Sequence, residues 1–157
     1  AALVREGNDV TIVSLSYMTI EAIHAVDELA KSGIHCDLID LRTVNPIDWP
    51  MIFDSVRKTG RLIVADTSQQ TCSVASEIVA RCTTELFDQL QAAPKILALD
   101  DLPTPTSHYL TGDYYFRAFD IANSILEMVN KEADLSKLKP TSGKPLDVPG
   151  EWFKGPF

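Results

Sequence analysis

Cysteine is scarce in this chain and is not arranged as a scaffold. Cys36, Cys72 and Cys82 are odd in number and far apart, and no C-x-x-C occurs. That pattern argues against a disulfide framework and for a reducing compartment. The thiols are expected to be buried or half-buried, since free cysteine behaves as a small hydrophobe. Long apolar runs are also missing: none approaches the ~20 residues that span a bilayer. No signal peptide is visible. The sequence opens Ala1-Ala2-Leu3-Val4-Arg5-Glu6 without Met, as expected of a piece cut from something larger. Positive charge is in deficit, with 14 Lys and Arg against 22 Asp and Glu and a net charge of −8. Such a chain lacks the basic footprint that nucleic acid or an anionic membrane surface demands. It is compatible with a basic protein partner.

Most chemistry-bearing motifs are absent as well. No G-x-x-x-x-G-K, G-x-G-x-x-G or G-x-S-x-G is present, so nucleotide cradles and a nucleophile elbow are unsupported. His24, His35 and His108 have no companions at metal-ligand spacing, so no zinc or other metal site is expected. His24 and His35 read as solvated or edge histidines. Asp66, at the end of an apolar run, resembles the phosphorylatable aspartate of a receiver. However, no acidic pair follows the first strand, and Lys95 begins its strand rather than ending it. Asp66 therefore reads as a loop or cap group. Asp101, Ser107 and His108 share one loop and have the residue types of a hydrolase triad. Ser107 and His108 are adjacent, and no oxyanion element accompanies them, which argues against that use.

What is present fits one domain. At 157 residues, 45% of them apolar, the chain can bury roughly two thirds of its unfolded surface. Four strands are legible: Val10 to Leu15, Cys36 to Leu41, Arg61 to Ala65 and Lys95 to Leu99. The third is a continuous apolar run, as a central parallel strand covered on both faces requires. Ile20, Ile23, Val26 and Ala30 recur at helical spacing, with Gly33 as a left-handed stop. Asp48 can cap a helix from Trp49-Pro50 to about Lys58, and Gly60 ends it. Arg57, Lys58 and Arg61 suit that helix's negative end. Ser73 or a neighbour opens a long helix with Val74, Ile78, Ala80, Cys82, Leu86, Phe87 and Leu90 on its apolar side. Phe119, Ile121, Ile125, Leu126 and Val129 mark the last helix. The alternation predicts an α/β fold with a parallel sheet between helices.

Residues 1–8 are expected to end an interdomain linker, and 9–130 to form the domain. Residues 131–157 are expected to be an extended Pro- and Gly-containing tail carrying Trp152, Phe153 and Phe157. The tail is read as laid over its own domain, as an arm docked on another subunit, or as disordered. The loop from Asp101 to Tyr109 follows the fourth strand, at the sheet end where open α/β folds place ligands. Bracketed by Pro103 and Pro105, it reads as a rigid interface loop, with a substrate-channel contribution as the alternative. Asp40 and Arg42 end the second strand, as a local ion pair or an interface pair.

Four segments occur in a telling order: Gly7-Asn8-Asp9-Val10-Thr11-Ile12-Val13-Ser14, Asp40-Leu41-Arg42-Thr43-Val44-Asn45-Pro46-Ile47-Asp48, Ser55-Val56-Arg57-Lys58-Thr59-Gly60-Arg61, and Asp101-Leu102-Pro103-Thr104-Pro105-Thr106-Ser107 with Tyr114-Tyr115 after it. Over residues 1–130 the chain resembles the transketolase C-terminal-domain-like family. The resemblance is strongest to the C-terminal domain of the β subunit of thiamine-dependent 2-oxoacid dehydrogenases acting on pyruvate, a branched-chain 2-oxoacid or acetoin.

The resemblance implies a three-layer α/β/α domain with a five-stranded, mostly parallel sheet and one antiparallel edge strand. The strand not legible in the sequence is expected near Tyr109 to Tyr114 or in another apparent loop. The resemblance also implies an α2β2 parent that uses thiamine diphosphate and magnesium held outside this chain. No residue here inherits a catalytic, cofactor-binding or metal role, and no Gly-Asp-Gly signature occurs, only Gly112-Asp113-Tyr114.

The implied partners are the chain's own N-terminal β domain, a second β subunit, the α subunit and the subunit-binding domain of the dihydrolipoyl acyltransferase. Neither nucleic acid nor membrane is implied. The expected setting is the bacterial cytoplasm or the mitochondrial matrix. Candidate contact residues are Asp40, Arg42, Asp101, Ser107, His108, Tyr109, Tyr114 and Tyr115. The chain departs from the family at Thr67, which replaces an acid, at Cys72 and Ser73, which replace glycines, and at Phe116, which replaces a proline. A transketolase or deoxyxylulose-phosphate synthase-like parent, and a stand-alone α/β regulatory module, remain open at this stage.

Overall fold

A computed structural model of the chain describes residues 1–111, 114–139 and 148. The elements run β1 (Ala2–Arg5), β2 (Val10–Ser14), α1 (Met18–Ala30), β3 (Cys36–Asp40), α2 (Trp49–Thr59), β4 (Leu62–Gln69), α3 (Val74–Leu86), β5 (Lys95–Leu99) and α4 (Ala118–Val129). Short 3-10 turns lie at Phe87–Gln89, His108–Leu110 and Ser136–Leu138. The sheet has five strands in the order β1-β3-β2-β4-β5. β1 is antiparallel to β3, and the remaining pairs are parallel.

The layering follows from period-two alternation in strands buried on both faces. Val10 and Ile12 of β2, with Ile63 and Ala65 of β4, join α1 and α4 in one core. Val13, Leu62 and Val64 point the other way, into a core with α2 and α3. The helix ends match their sequence signals. Asp48 accepts from the Met51 N–H at 3.3 Å, and Gly60 closes α2 at φ 66°. Ser73 caps α3 by accepting from the Ser76 N–H, within a capping box. Asn130 ends α4 in the left-handed region at φ 51°.

Three expectations about the elements are corrected. The fifth strand is β1, at the amino end, while His108–Leu110 is a helical turn. β1 is a four-residue edge strand with one face partly covered, so its sequence carries little apolar signal. β4 also runs past Ala65 to Gln69, through polar residues whose last three are exposed. The third concerns α3, which stops at Leu86. Beyond it the 3-10 turn leaves Phe87 71% exposed, and Ala80 faces solvent as well.

The described part of the tail lies on the domain. Leu135 is buried in the core of α1 and α4, with Ala133 and Leu138 against it. Trp152, Phe153 and Phe157 lie outside the described residues, as do Gly112 and Asp113.

Cys72, at a position where the resemblance leads one to expect glycine, takes φ 56°. The left-handed region costs an L-residue roughly 1–2 kcal/mol, part of which glycine's freer unfolded chain offsets. Cys72→Gly is therefore expected to raise stability by roughly 0.5–1 kcal/mol in urea titration. Burial pushes the thiols of Cys36 and Cys82 up to about 12, whereas Cys72 is exposed, so the expectation of buried or half-buried thiols fails there. At pH 8 an aromatic disulfide reagent should label Cys72 quickly in the native chain, and the other two only after denaturation.

Candidate functional site

The chain order reverses direction beside β2. From β2 it passes to β3 on one side, then crosses back so that β4 pairs with β2 on the other. The crevice at the carboxyl ends of β2 and β4 is thus a topological switch point, where open α/β sheets bind ligands. The turn leaving β2 is tight. Ser16 takes φ 53°, and the Leu15 N–H donates to the Ala65 carbonyl at 3.0 Å. That turn sets Tyr17 at the mouth of α1.

A polar cluster closes one side of the crevice. The Tyr17 hydroxyl donates to Glu21 Oε1 at 2.6 Å. Arg117 Nη1 donates to the same Oε1 at 3.2 Å and to the Tyr17 hydroxyl at 2.9 Å. Glu21 Oε2 accepts the Ala118 N–H at 2.8 Å, at the first residue of α4. Glu21 is only 3% exposed. Burial, and then the hydrogen bond to Glu21, push the Tyr17 phenol up, so it stays protonated. Arg117 Nη2 donates to the Val148 carbonyl at 2.8 Å. Asp120 accepts from the Arg117 N–H at 2.8 Å, and burial pushes its carboxyl up.

Beside this cluster is a cavity of about 260 Å³. Tyr17 and Met18 line it from the turn after β2, Asp66 and Thr67 from β4, Leu99 from β5, and residues 115–117 from the approach to α4. Asp66 is 5% exposed. Its Oδ1 accepts the Ser68 N–H at 3.0 Å, as a cap group would, but its buried Oδ2 has no hydrogen-bond partner.

A second buried network lies nearer the amino end of the sheet. Asp37 accepts from the Gly7 N–H at 2.8 Å, from the Ser55 hydroxyl at 2.7 Å and from Lys58, which lies 2.7 Å from Oδ2. Ser55 and Thr59 each meet the Thr11 hydroxyl at 2.7 Å. A Cβ at Gly7 would lie 2.2 Å from the His35 carbonyl carbon, so only glycine fits there. This network is satisfied, and of its residues only Lys58 reaches solvent, so it serves to fix the fold. Lys58, legible only as a helix-end charge, is the cation of a buried aspartate.

The residues singled out in the sequence fall into two groups at the carboxyl end of the sheet. Arg42, at φ 59°, donates through Nε to Asp40 Oδ2 at 2.9 Å, at the end of β3. Past the end of β5, Asp101 accepts from the Thr71 N–H at 3.2 Å and from the Thr71 hydroxyl. The two groups stand three strand spacings apart, about 14 Å. Ser107 is exposed, and its carbonyl accepts the Leu110 N–H at 2.9 Å. His108 opens the 3-10 turn, and its side chain lies outside the described part. Tyr109 is 98% exposed. Tyr114 is buried, donates to the Leu102 carbonyl at 3.3 Å and meets Tyr115 edge to face at 4.9 Å. Sequence reasoning missed Tyr17, Glu21, Asp37 and Arg117. A charged residue inside an apolar stripe or strand, as at Glu21 and Asp37, was the available signal. Among the described residues, no three His, Cys, Asp or Glu side chains converge as a metal centre.

Residues 1–121 match the family described as transketolase, C-terminal domain. The chain belongs to that family. It is 40% identical over 133 residues to the pyruvate dehydrogenase E1 component subunit beta of Mycoplasma pneumoniae, covering 83% of this chain and 38% of that protein. It is 37% identical over 122 residues to the acetoin:2,6-dichlorophenolindophenol oxidoreductase subunit beta of Cupriavidus necator, covering 78% and 36%. The chain thus spans less than two fifths of the length of either relative. A solved split-gene transketolase, an inactive beta4 tetramer, superposes with a TM-score of 0.71 at 24% identity, over 82% of this chain and 42% of that one. At that identity the likeness bears on the fold, and it agrees with the five-stranded sheet expected from the resemblance.

Glu21 is the tie that the crevice depends on. Glu21→Ala removes the carboxylate opposite Arg117 and the acceptor of the Ala118 N–H, and is expected to cost roughly 3–5 kcal/mol in urea denaturation. The double variant with Arg117→Ala should lose less than the sum of the single losses.

Proposed function

We propose that this chain is the C-terminal domain of the β subunit of a thiamine-dependent 2-oxoacid dehydrogenase, and that its own work is assembly. The reading rests chiefly on the 40% identity to a pyruvate dehydrogenase β subunit over 133 residues. The parent would decarboxylate pyruvate or a related 2-oxoacid oxidatively and pass the acyl group to lipoamide. Thiamine diphosphate and magnesium would serve the parent. The resemblance places both outside this chain, and among the described residues no three His, Cys, Asp or Glu side chains converge on a metal.

Two features support docking. The net charge of −8 suits electrostatic steering of a basic partner. The loop after β5 is held from both sides, through Asp101 to Thr71 and through Leu102 to Tyr114 and Gln69, yet it presents Leu102, Tyr109 and Leu110 to solvent. A rigid loop with exposed apolar groups binds at small entropic cost. The partners proposed are the chain's own N-terminal β domain, a second β subunit, the α subunit and the basic subunit-binding domain of the acyltransferase. The setting proposed is the bacterial cytoplasm or the mitochondrial matrix. Among the described residues, no helix is long and apolar enough to cross a membrane.

Calorimetric titration with the subunit-binding domain of the acyltransferase from the same source tests this. Saturable binding that weakens with salt is expected. Alanine at Asp101, His108 and Tyr109 together should weaken it by about tenfold or more. Absence of binding at both low and moderate salt overturns the docking role, and an unchanged triple variant removes this loop from it.

A further inference from the structure

We propose that the cavity beside Tyr17 and Arg117 is the seat of the chain's own C-terminal segment, with the indole of Trp152 as its occupant. The first observation is the course of the tail. After α4 it folds back onto the α1–α4 face, where Leu135 is buried and Leu138 packs against the same core. The Lys137 ammonium lies 3.7 Å from Glu28, in the last turn of α1. The Lys139 ammonium stands 5.9 Å over the Phe119 ring, in the first turn of α4. Glu21 ties the first turns of the two helices together, so those two places lie at opposite ends of the helical layer. The Val148 carbonyl then accepts from Arg117 Nη2 at 2.8 Å, one residue before α4. The tail thus travels along the layer to the carboxyl end of the sheet.

The second observation is where this leaves the end of the chain. Arg117, which anchors Val148, is itself part of the cavity lining. The residues that follow, 149–157, include Trp152, Phe153 and Phe157. Trp152 is four residues on, and four extended residues span at most about 14 Å. Gly150 lets the backbone turn inward between the anchor and the indole. A segment tethered this close meets the cavity at an effective concentration of about millimolar, far above that of a second copy in dilute solution.

The lining selects the kind of group. Met18, Leu99, Tyr115 and Phe116 present apolar or aromatic surface. The Tyr17 hydroxyl already donates to Glu21 and accepts from Arg117, and both terminal nitrogens of Arg117 are engaged. Such a lining takes an apolar ring more readily than a charged group. Small-molecule sites usually measure about 300–1,000 Å³, so a cavity of about 260 Å³ suits a single large side chain. An indole offers the largest apolar surface of any side chain in the segment, and its one N–H can stay at the wet mouth. Neighbouring side chains of an extended segment point to opposite sides, so Phe153 faces away when Trp152 enters.

NMR of the 157-residue chain tests this. Nuclear Overhauser contacts are expected from the Trp152 ring to the Met18 and Leu99 methyls. In a mixture of differently labelled copies, those contacts should stay within one copy. Trp152→Ala should shift the amides of Thr67, Leu99 and Phe116 and lower the melting temperature by about 4 °C or more. Phe153→Ala should leave both close to the parent values, and Trp152→Phe should recover most of the loss. Absence of the ring-to-methyl contacts, contacts seen only between copies, or equal melting of Trp152→Ala and Phe153→Ala overturns the proposal.

Discussion

The contact between Glu21 and the start of α4 holds the carboxyl end of this domain together. Helices α1 and α4 share one face of the sheet, and nearly a hundred residues separate Glu21 from Arg117. Apolar packing between two helices is non-directional and fixes no register at their ends. The Glu21 carboxylate supplies the direction, because one oxygen takes the Ala118 N–H and the other takes Arg117 and Tyr17. It satisfies an orphan donor of α4's first turn and places a negative charge at the positive end of that helix. The 115–117 segment is thereby pinned beside the β2 turn, and the cavity has its wall.

Legibility in the sequence followed the strength of local signals. Both β2 and β4 are covered on two faces and read as apolar runs. Helix α2 announced itself through Asp48, Pro50 and Gly60, each with a backbone reason to stand where it does. Where burial is partial, the signal fades. β1 is a short edge strand, and the far end of β4 is polar, so neither was visible. The end of α3 was overrun because Phe87 and Leu90 continue the apolar periodicity past the point where the helix tightens into a 3-10 turn. The site was less legible than the fold. Asp37 and Glu21 sit inside apolar patterns, and their meaning depends on partners far away in sequence. No local rule connects Glu21 to Arg117 or Asp37 to Gly7.

The two positions where the resemblance leads one to expect glycine differ physically. Ser73 stands at a helix start, where a hydroxyl can accept a backbone N–H, and it forms a capping box there. Cys72 stands at a left-handed position, where nothing in its side chain offsets the strain. One side chain supplies a cap; the other holds the turn at a cost. The turn survives because its neighbours are tied: Thr71 to Asp101, and the Ser73 and Ser76 hydroxyls to the Gln70 carbonyl.

These ties also bring the docking loop and the proposed seat of the tail to one wall. Tyr115 lines the cavity and meets Tyr114 edge to face, and Tyr114 donates to the Leu102 carbonyl in the loop after β5. Gln69, at the end of β4, donates to that same carbonyl at 3.0 Å, only three residues from Asp66. The loop offered for docking and the cavity therefore share two supports. A ligand shifts an equilibrium only by its differential affinity for the two arrangements. Coupling between cavity and loop is thus confined to whatever Tyr115 and Gln69 can transmit, and the buried Tyr114 leaves that linkage little freedom to move. The physical expectation is a rigid wall serving both sites, in which occupancy of one changes the other weakly.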